Sequence, residues 1–510
     1  MPLHKPFFLA LSLVSALLFQ PSAHAAGTLP PPVAAALQRA AIPPAAVGIF
    51  VQAVDGAAPL LSLNEASAMN PASTMKLVTT DAALNLLGPA YTWKTQAYAS
   101  GTQDGNVLNG DLIIKGSGDP KLVTENLWLF LRRIRAAGIR EIRGNLVLDR
   151  SDFADAAYDP ALFDGDPIKP YNVGPDALLL NYKVFAVHFT PRPELGRVDV
   201  TTEPPAAGWN IVPPALSGGA CLDWQAQLQP ALDARGIAFG GSFSAVCGDK
   251  TWYIHPYLTS SVDYFGMAFR DLWREVGGTL NGNVVDGTLP PEARLLTEWQ
   301  SPPLAEVVRD INKYSNNVMA RQLLLTIAKE TGSVPAGTAQ GAAVIRSWLA
   351  SENIDTTPLV IENGAGLSRI GRVSAGLLGR MLLAAYRSPT MAELMSSLPV
   401  VASDGTMRKR LTMESIAGHA HIKTGSLSDV RAVAGYVLGA SGRRYVVVGI
   451  VNHPNAGAAA PALDALLEWV FQNDRANVGE NAAFTAEPAG SATGRCMRCG
   501  SRESAPPAAH

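Results

Sequence analysis

The sequence predicts a mixed α+β fold (α/β mixed) with more than one domain. Residues 46–54 form a β-branched strand ending at the turn dipeptide Asp55-Gly56, and a second strand and a helix start follow. Residues 150–256 are rich in Pro and Gly and alternate short strands with loops, so they do not continue the first domain. Two apolar strands around a turn, then a helix, close the ordered part of the chain.

The individual elements follow from periodicity and from their end signals. Apolar residues at helical spacing predict helices, and Gly138 and Gly277 suit helix ends. β-Branched runs bounded by turn dipeptides predict strands. Helices are predicted at 33–39, from 70 onward, and at 127–137, 264–276, 302–311, 318–329 and 459–472. Strands are predicted at 46–54, 60–63, 93–99, 111–115, 145–149, 186–190, 198–201, 282–286, 419–424, 432–438 and 444–451.

Composition limits the classes of protein that fit. The chain has 510 residues, 47% of them hydrophobic and 16% charged, and its formal net charge is −2. These values indicate a globular protein with a large core rather than a disordered one. The sequence has neither a basic stripe nor a strong positive charge, so nothing in its composition indicates a nucleic-acid partner. The histidines show no metal-ligand spacing, so neither a metal nor a cofactor is expected.

The first residues resemble an export signal. His4 and Lys5 precede an apolar run at 7–19, and Ala23-His24-Ala25 follows as a cleavage site. This pattern predicts a signal peptide, residues 1–25, and a periplasmic mature protein without stable membrane insertion. An uncleaved anchor is the alternative, although the apolar run is too short to span a bilayer.

The four cysteines form two separate pairs in the sequence. Cys221 and Cys247 are 26 residues apart within one predicted domain, and export permits disulfides, so we expect them to pair. Cys496 and Cys499 lie in a small-residue tail without a βαβ context, which argues against a thioredoxin-like role. An incidental pair or a labile disulfide fits that tail better.

A serine and a lysine stand at the start of one predicted helix. Asn70 suits the N-cap and Pro71 the first helical position, which places Ser73 in the first turn with a free N–H. Lys76 follows three residues later and shares its helix face with Ser73. A hydroxyl beside an amine at a helix N-terminus suits acyl transfer, although this spacing alone is common.

Two further motifs raise the specificity of the first. Ser315-Asn316-Asn317 lies between two predicted helices, and Lys423-Thr424-Gly425-Ser426 lies on a strand beside a hairpin. Together with Ser73-x-x-Lys76, in this order, they match the motif set of penicillin-binding proteins and class A β-lactamases. The chemistry therefore predicts an acyl-transfer enzyme with Ser73 as nucleophile.

The residue types also suggest individual roles. Lys76 takes the proton of Ser73 when burial and a neighbouring cation lower its pKa. Ser315 relays a proton to the leaving amine, and Asn317 bonds Lys76 and a substrate amide; whether Lys76 or Ser315 shuttles the proton stays open. Lys423 suits a substrate carboxylate. The remaining predicted binding residues are Thr424, Gly425 and Ser426, with the N–H groups of Ser73 and Ser426 as the oxyanion hole.

The chain resembles the penicillin-binding protein 4 family of D-alanyl-D-alanine carboxypeptidases/endopeptidases, serine peptidases of the S13 type. The resemblance covers residues 28–474 and rests on the three motifs and on further stretches around Gly116–Pro120, Gly144–Asp149, Glu362–Ser368 and Ala434–Tyr436. It implies a β-lactamase/transpeptidase-like domain with two inserted α+β domains. The sequence separation of 239 from Lys76 to Ser315 leaves room for them.

The resemblance also implies domain boundaries. The transpeptidase-like domain is expected at 28–90 and 298–473, inserted domain II at 91–110 and 187–297, and inserted domain III at 111–186. Residues 474–510 are predicted to form a disordered tail.

Three positions depart from the family's pattern or match it by local context alone. The family often has Asp where this chain has Asn316, a position that points away from the chemistry and so leaves Ser315 and Asn317 intact. Asp149 and Arg369 match, by local context, an Asp and an Arg that bind the far end of the peptide stem in such enzymes. A strand-end Asp and a surface Arg are the structural alternatives at these two positions.

The predicted function is a serine DD-peptidase that cleaves D-Ala-D-Ala and D-Ala-diaminopimelate bonds of peptidoglycan. Its expected partners are peptidoglycan stem peptides and β-lactam antibiotics, with no nucleic acid, and a homodimer stays open. A β-lactamase-like hydrolase is one alternative, but it requires a deacylating carboxylate. A non-enzymatic, penicillin-recognising cell-wall protein is another, but it has no use for three intact motifs.

Overall fold

The computed structural model describes residues 28–154, 157–206 and 208–484. The predicted signal peptide and the Cys496/Cys499 pair lie outside the described residues. The helices are α1 Pro31–Arg39, α2 Met75–Leu87, α3 Thr124–Ala136, α4 Trp224–Leu228, α5 Ser261–Glu275, α6 Leu304–Tyr314, α7 Asn317–Glu330, α8 Thr338–Ser351, α9 Ala375–Arg387, α10 Met391–Ser397 and α11 Ala460–Phe484.

The strands alternate with these helices along the chain, which confirms the predicted α+β class. They are β1 Val47–Ala53, β2 Leu61–Leu63, β3 Lys94–Asp104, β4 Val107–Lys115, β5 Glu141–Ile142, β6 Leu146–Asp149, β7 Phe185–Arg192, β8 Arg197–Glu203, β9 Asn210–Val212, β10 Ala215–Ser217, β11 Pro230–Asp233, β12 Gly236–Phe239, β13 Ser242–Ser244, β14 Lys250–Ile254, β15 Thr279–Leu280, β16 Val284–Gly287, β17 Arg294–Gln300, β18 Ala420–Leu427, β19 Val430–Leu438 and β20 Arg444–Asn452.

The first unit is built on a five-stranded antiparallel sheet in the order β18-β19-β20-β1-β2. Helices α2 and α6–α10 cover one face of this sheet, and α1 and α11 cover the other. β20 is apolar at consecutive positions because both of its faces are covered: Val446 packs against the first layer and Val447 against the second. β18 lies at the edge of the sheet, so the Lys423 motif is accessible from one side.

The chain leaves this unit at Trp93 and returns to it at Ser301. The Trp93 N–H donates to Ser301 Oγ at 2.9 Å, and the Ser301 N–H donates to Trp93 O at 3.0 Å. The Trp93 ring is fully buried, and its Nε1–H donates to Thr326 Oγ1 on α7 at 2.9 Å. These bonds hold the two ends of the inserted residues side by side, close to the predicted junctions at 90/91 and 297/298.

The inserted residues form a seven-stranded sheet and three smaller sheets. The large sheet has the order β15-β5-β4-β3-β17, with β6 paired to both β4 and β16, and α3 and α5 pack against it. Between β6 and β15, the chain forms the sheets β14-β7-β8, β11-β12-β9 and β10-β13. Cys221 and Cys247 form a disulfide in this inner part.

The division of the inserted residues stays a prediction, and the strand pairing suggests where to move it. β3 and β4 pair from Gln96↔Lys115 to Asp104↔Val107, across the predicted 110/111 boundary. Because a hairpin of this length belongs to one sheet, we propose that the outer inserted unit consists of 94–183 and 255–300. Residues 185–254 then form the inner unit.

One inserted segment packs directly on the first unit. Phe153 and Ala177 lie in one hydrophobic cluster with Leu325 of α7, and Val173 lies in another with Val318 at the start of the same helix. All of these side chains are buried. The segment 150–184 therefore adjoins the helix that carries the second motif.

The last helix extends further than expected. α11 is helical to Phe484, ten residues past Asp474, where the sequence predicts that a disordered tail begins; the extent of that tail stays a prediction. This stretch contains no proline that would end the helix. Across the described part of the chain, no helix is both long enough and apolar enough to cross a bilayer.

We expect the disulfide to stabilise the inner unit. Replacing both Cys221 and Cys247 by Ser should lower its free energy of unfolding by about 3–4 kcal/mol, because the unfolded chain regains the freedom of a loop spanning 26 residues. Urea unfolding followed by tryptophan fluorescence measures the change. The matched control replaces Cys496 and Cys499, and equal unfolding midpoints for the two variants would contradict the expectation.

Candidate active site

Ser73 lies in a short 3₁₀ turn, Ala72–Thr74, that leads into α2. The Ala72 N–H donates to Asn70 Oδ1 at 2.9 Å, and Thr74 Oγ1 donates to Pro71 O at 2.8 Å. The sequence predicts a regular helix start at Pro71, but Ala72 has φ = 46°, a left-handed conformation that an α-helix does not contain. Ser73 is therefore presented on a tight turn just ahead of α2, and its side chain is half-buried.

Two glycines allow other segments to approach this turn. A Cβ on Gly425 of β18 would lie 2.6 Å from Pro71 O and 3.2 Å from Ser73 N. A Cβ on Gly366 would overlap Ala72 O. A left-handed alanine is strained by about 1–3 kcal/mol and persists only where its surroundings hold it. The two glycine contacts supply such surroundings and bring the edge strand against the serine.

Lys76 is fully buried and points at three acceptors. Its Nζ lies 3.0 Å from Ser73 Oγ, 2.5 Å from Asn317 Oδ1 and 2.6 Å from Ala365 O. A neutral amine has two N–H donors and one lone pair. In that form Lys76 donates to Asn317 and Ala365 and accepts from the Ser73 hydroxyl, which is the geometry of a base.

The electrostatic surroundings favour the neutral amine. Burial lowers the pKa of Lys76 well below its usual value, and the positive charges of Lys423 and Arg321 lower this pKa further. Lys423 approaches from β18 and Arg321 from α7. Removing the positive charge of either neighbour would therefore make Lys76 easier to protonate.

Ser315 and Lys423 meet on the opposite side of the site. Ser315 ends α6 in a left-handed conformation with φ = 57°, which turns the chain sharply into α7. Lys423 Nζ donates to Ser315 Oγ at 3.0 Å and to Thr424 O at 2.8 Å. Its side chain is fully buried, and burial lowers the pKa of Lys423 to about 7. A carboxylate placed here would favour the charged form of the amine.

The two asparagines of the second motif have different structural roles. Asn316 caps α7: its side chain accepts from the Met319 N–H at 3.0 Å. Asn317 is the first residue of that helix and accepts from Lys76. Since Asn at position 316 forms a good N-cap, the departure from the family's usual Asp leaves the helix start intact.

The third motif lines the edge of the sheet. Thr424 Oγ1 donates to Thr406 Oγ1 at 2.8 Å, and Ser426 is exposed on β18. Lys313 holds the loop that carries Thr406, because its Nζ donates to Leu398 O and Asp404 Oδ2, both at 2.6 Å. The structure thus brings Ser73, Lys76, Ser315, Asn317 and the residues 423–426 together in one cleft.

Asp149 is not part of this cleft. Its side chain is 2% exposed, and its oxygens accept from Ser151 N–H and Oγ–H and from Leu289 N–H, while Lys115 Nζ lies 3.5 Å away. These contacts occupy the carboxylate within the inserted sheet and stabilise the end of β6, so they favour the structural alternative for Asp149. Its role in substrate binding stays a prediction.

Arg369 does lie beside a cavity. Its guanidinium carbon lies 4.5 Å from the centre of the Phe163 ring, and its Nη1 is 3.4 Å from Asp429 Oδ1. The side chain is 50% exposed. Arg369 and Phe163 line a cavity of about 270 Å³ together with Tyr158, Arg321 and Glu362. The cavity lies where the inserted segment 150–184 meets the loop 362–370.

Two groups of the active site were not identified from the sequence. The Ala365 carbonyl holds Lys76, but a backbone carbonyl leaves no side-chain signal; only the Gly-rich context of Glu362–Ser368 pointed to it. Arg321 follows Asn317 by four residues on α7 and so shares its helix face, a spacing that could have been noticed. Arg321 is 3% exposed and donates to Tyr171 O and Val173 O, both at 2.8 Å.

The arrangement of these groups defines a class of serine enzymes that share the motifs Ser-x-x-Lys, Ser-x-Asn and Lys-Thr-Gly. Within that class, the family model described as the D-Ala-D-Ala carboxypeptidase 3 (S13) family matches residues 30–471. The chain belongs to this family. The match confirms the resemblance drawn from the motifs and the predicted serine-type carboxypeptidase class.

Individual relatives are similar in sequence or structure to most of this chain. A D-alanyl-D-alanine carboxypeptidase of Actinomadura sp. is 29% identical over 449 residues, which are 84% of this chain and 81% of the relative. The carboxypeptidase DacB of Haemophilus influenzae is 26% identical over 426 residues, 81% of this chain and 86% of the relative. The crystal structure of penicillin binding protein 4 from H. influenzae matches with a TM-score of 0.72 at 22% identity, covering 86% of this chain and 99% of that one. This likeness confirms the transpeptidase-like fold.

The close approach of β18 to Ser73 can be tested at Gly425. Gly425→Ala places a methyl group against Pro71 O, so the strand must retreat from the serine. Because small displacements of reacting groups are costly, we expect the rate of Ser73 modification by an acylating penicillin to fall about 10- to 100-fold. Gly218→Ala is the matched control, since a Cβ there meets no atom within 4 Å. Equal labelling rates in both variants would contradict the role of the contact.

The influence of Arg321 on the base can be read from a pH profile. Arg321→Met removes a positive charge near Lys76, which raises the pKa of Lys76. The amine then keeps its proton to higher pH, so the acidic limb of the acylation rate should move to higher pH. Arg321→Lys retains the charge and should keep the limb near its wild-type position. A limb that does not move in Arg321→Met would refute this electrostatic coupling.

Proposed function

We propose that the protein is a serine DD-peptidase that works through an acyl-enzyme on Ser73. The observation that carries the proposal is the 3.0 Å contact between Ser73 Oγ and the buried Lys76 Nζ. Nucleophilic serines need a base within hydrogen-bond reach, and that base needs a third group to orient it. Asn317 and the Ala365 carbonyl orient Lys76 in this way.

Acylation follows from these positions. Ser73 Oγ attacks the carbonyl carbon of the penultimate D-Ala, and its proton passes to Lys76 or through Ser315. The C–N bond breaks, and the departing amine takes up a proton from the same pair of groups. Ser315 suits the relay because Lys423 holds its hydroxyl at 3.0 Å. Water then hydrolyses the Ser73 ester and releases the shortened peptide.

The developing oxyanion needs donors aimed from both sides of the cleft. We assign the N–H groups of Ser73 and Ser426 to this task, because Gly425 brings β18 against the turn that carries Ser73. One such donor contributes about 3–4 kcal/mol to the transition state. Lys423 then faces the terminal carboxylate, with the hydroxyl groups of Thr424 and Ser426 beside it.

The far end of the peptide stem is assigned to the cavity at Arg369. Half of the Arg369 side chain is exposed, and its guanidinium stacks on Phe163. Arg321 and Glu362 in the same cavity add one charge of each sign. A substrate side chain with both an amino and a carboxylate group, such as diaminopimelate, suits this lining. The D-Ala-diaminopimelate crosslink is therefore proposed as a second substrate.

The biological setting completes the proposal. Peptidoglycan stem peptides are the substrates, and β-lactams acylate Ser73 in their place. The enzyme acts in the periplasm after removal of residues 1–25. Two relatives are named as D-alanyl-D-alanine carboxypeptidases, which supports this substrate class.

A fluorescent penicillin tests the proposal. Wild-type protein should become covalently labelled at Ser73 and should release D-Ala from a pentapeptide. Ser73→Ala should abolish the label, and Lys76→Met should slow it at least about 10³-fold, because a nucleophile and its base act as a unit. Lys94→Met is the matched control, since Lys94 is an exposed lysine whose ion-pair partner is Glu298 of the inserted sheet.

The decay of the label separates the alternatives. A long-lived adduct together with D-Ala release supports the DD-peptidase. Loss of the label within seconds would instead indicate a β-lactamase-like hydrolase. A stable label without D-Ala release would favour a penicillin-recognising protein that is not an enzyme, and no label at all would refute the assignment of Ser73.

A further inference from the structure

A second cavity, of about 390 Å³, adjoins the other side of α2. Asp81 follows Lys76 by five residues, about 140° around the helix, so the two side chains point to different sides of it. The polar part of the lining comes from Asp81 and Asn85 of α2, from Glu352 after α8, and from Arg387 and Ser388 at the end of α9. None of the residues assigned above to the active site lines this cavity.

Asp81 is a buried carboxylate without a cation. It is 1% exposed, and its Oδ1 accepts from Asn85 Nδ2 at 2.9 Å. Within the described ranges, its Oδ2 has no hydrogen-bond partner, and neither Asp81 nor Glu352 forms a salt bridge. Burying a carboxylate is costly unless a positive charge or further donors compensate it. The arrangement therefore leaves an acceptor at the cavity wall that a cation would satisfy.

The rest of the wall is apolar and aromatic. Trp348, Ile354 and Met381 line it, together with the small side chains of α9. An indole ring attracts cations through its face. The cavity is far larger than a metal ion and falls in the range of small-ligand sites. Arg387 is the cation of the lining, and its Nη2 donates to Val54 O rather than to Asp81.

We propose that this cavity binds a small organic cation, an amine or amidine with an apolar body, and that Asp81 is its counter-ion. The charged group of the ligand pairs with Asp81 Oδ2, and Glu352 adds negative potential from the end of α8. Trp348 and Met381 cover the apolar part of the ligand. The site is independent of the chemistry at Ser73.

If the cation displaces a proton from Asp81, its affinity depends on pH, and this dependence can be measured as a second test. Burial and the negative charge of Glu352 together raise the pKa of Asp81 to about 8, although the hydrogen bond from Asn85 lowers it. Glu352 and Arg387 of α9 line the cavity together with Asp81, and Tyr436 of β19 interacts electrostatically with Asp81. Below about pH 8 the empty site holds a proton that a bound cation displaces. Affinity for a permanently charged cation should therefore rise with pH up to that range.

Isothermal titration calorimetry with benzylammonium and benzamidinium tests the site, with benzyl alcohol as the neutral analogue. Both cations should bind the full-length protein, and benzyl alcohol should bind at least about tenfold more weakly. In buffers of different ionisation enthalpy, the heat should report release of a proton. Asp81→Asn should weaken cation binding at least about tenfold. This variant should fold, because the neutral acid and the amide have the same shape.

The controls separate this site from the active site and from general charge effects. Glu194→Gln removes a distant exposed carboxylate and should leave binding unchanged. Ser73→Ala should also bind normally, so failure of the proposed peptidase activity would not affect this result. The proposal is overturned if neither cation binds, if Asp81→Asn binds them as well as the wild type, or if benzyl alcohol binds equally.

Discussion

The site depends on one buried amine. Lys76 Nζ contacts Ser73, Asn317 and Ala365, and the last two lie 241 and 289 residues away in sequence. A buried polar group that loses its partners is destabilising by about 1–3 kcal/mol or more, so each of these segments is held in place by the same nitrogen. The same burial shifts Lys76 toward the neutral form that can accept a proton. The burial of Lys76 in the assembled fold is therefore also what makes this lysine a base.

The inserted residues act on that base through α7. Asn317 begins this helix, and Arg321, one turn later, holds the carbonyls of Tyr171 and Val173 from the inserted segment. Thr326, further along, accepts from the Trp93 indole at the junction of the two units. The insertion therefore contacts the helix at successive turns. It shapes the cavity beside Arg369 and also fixes a positive charge near Lys76, so recognition and catalysis share one structural element.

The sequence predicts a site residue where the type and spacing of its side chain indicate its chemical role. Ser73, Lys76, Ser315 and Lys423 were identifiable because the residue type and its spacing carry the chemistry. The role of Asp149 does not follow from the sequence, because a strand-end Asp has the same local pattern whether it binds a ligand or, as here, accepts hydrogen bonds from Ser151 and Leu289. The Ala365 carbonyl has no sequence signal, and the left-handed Ala72 arises from tertiary contacts that local propensity does not contain. The predicted 110/111 boundary crosses the β3–β4 hairpin because it was taken from the family resemblance and not from the strand pairing.

Helix α2 shows how a buried helix can carry ionisable groups. Every residue from Met75 to Leu84 is buried, yet two of them, Lys76 and Asp81, ionise. Burial moves both pKa values toward the neutral form, down for the amine and up for the acid. Lys76 contacts two acceptors, Asn317 Oδ1 and Ala365 O, and the reacting hydroxyl of Ser73, so its neutral form can act as a base. Asp81 has one amide partner and an open cavity, and the same electrostatic argument requires either a proton or an external cation there. The same desolvation thus acts on both sides of one helix: it keeps Lys76 ready as a neutral base, and it favours a proton on Asp81 unless a cation is bound there.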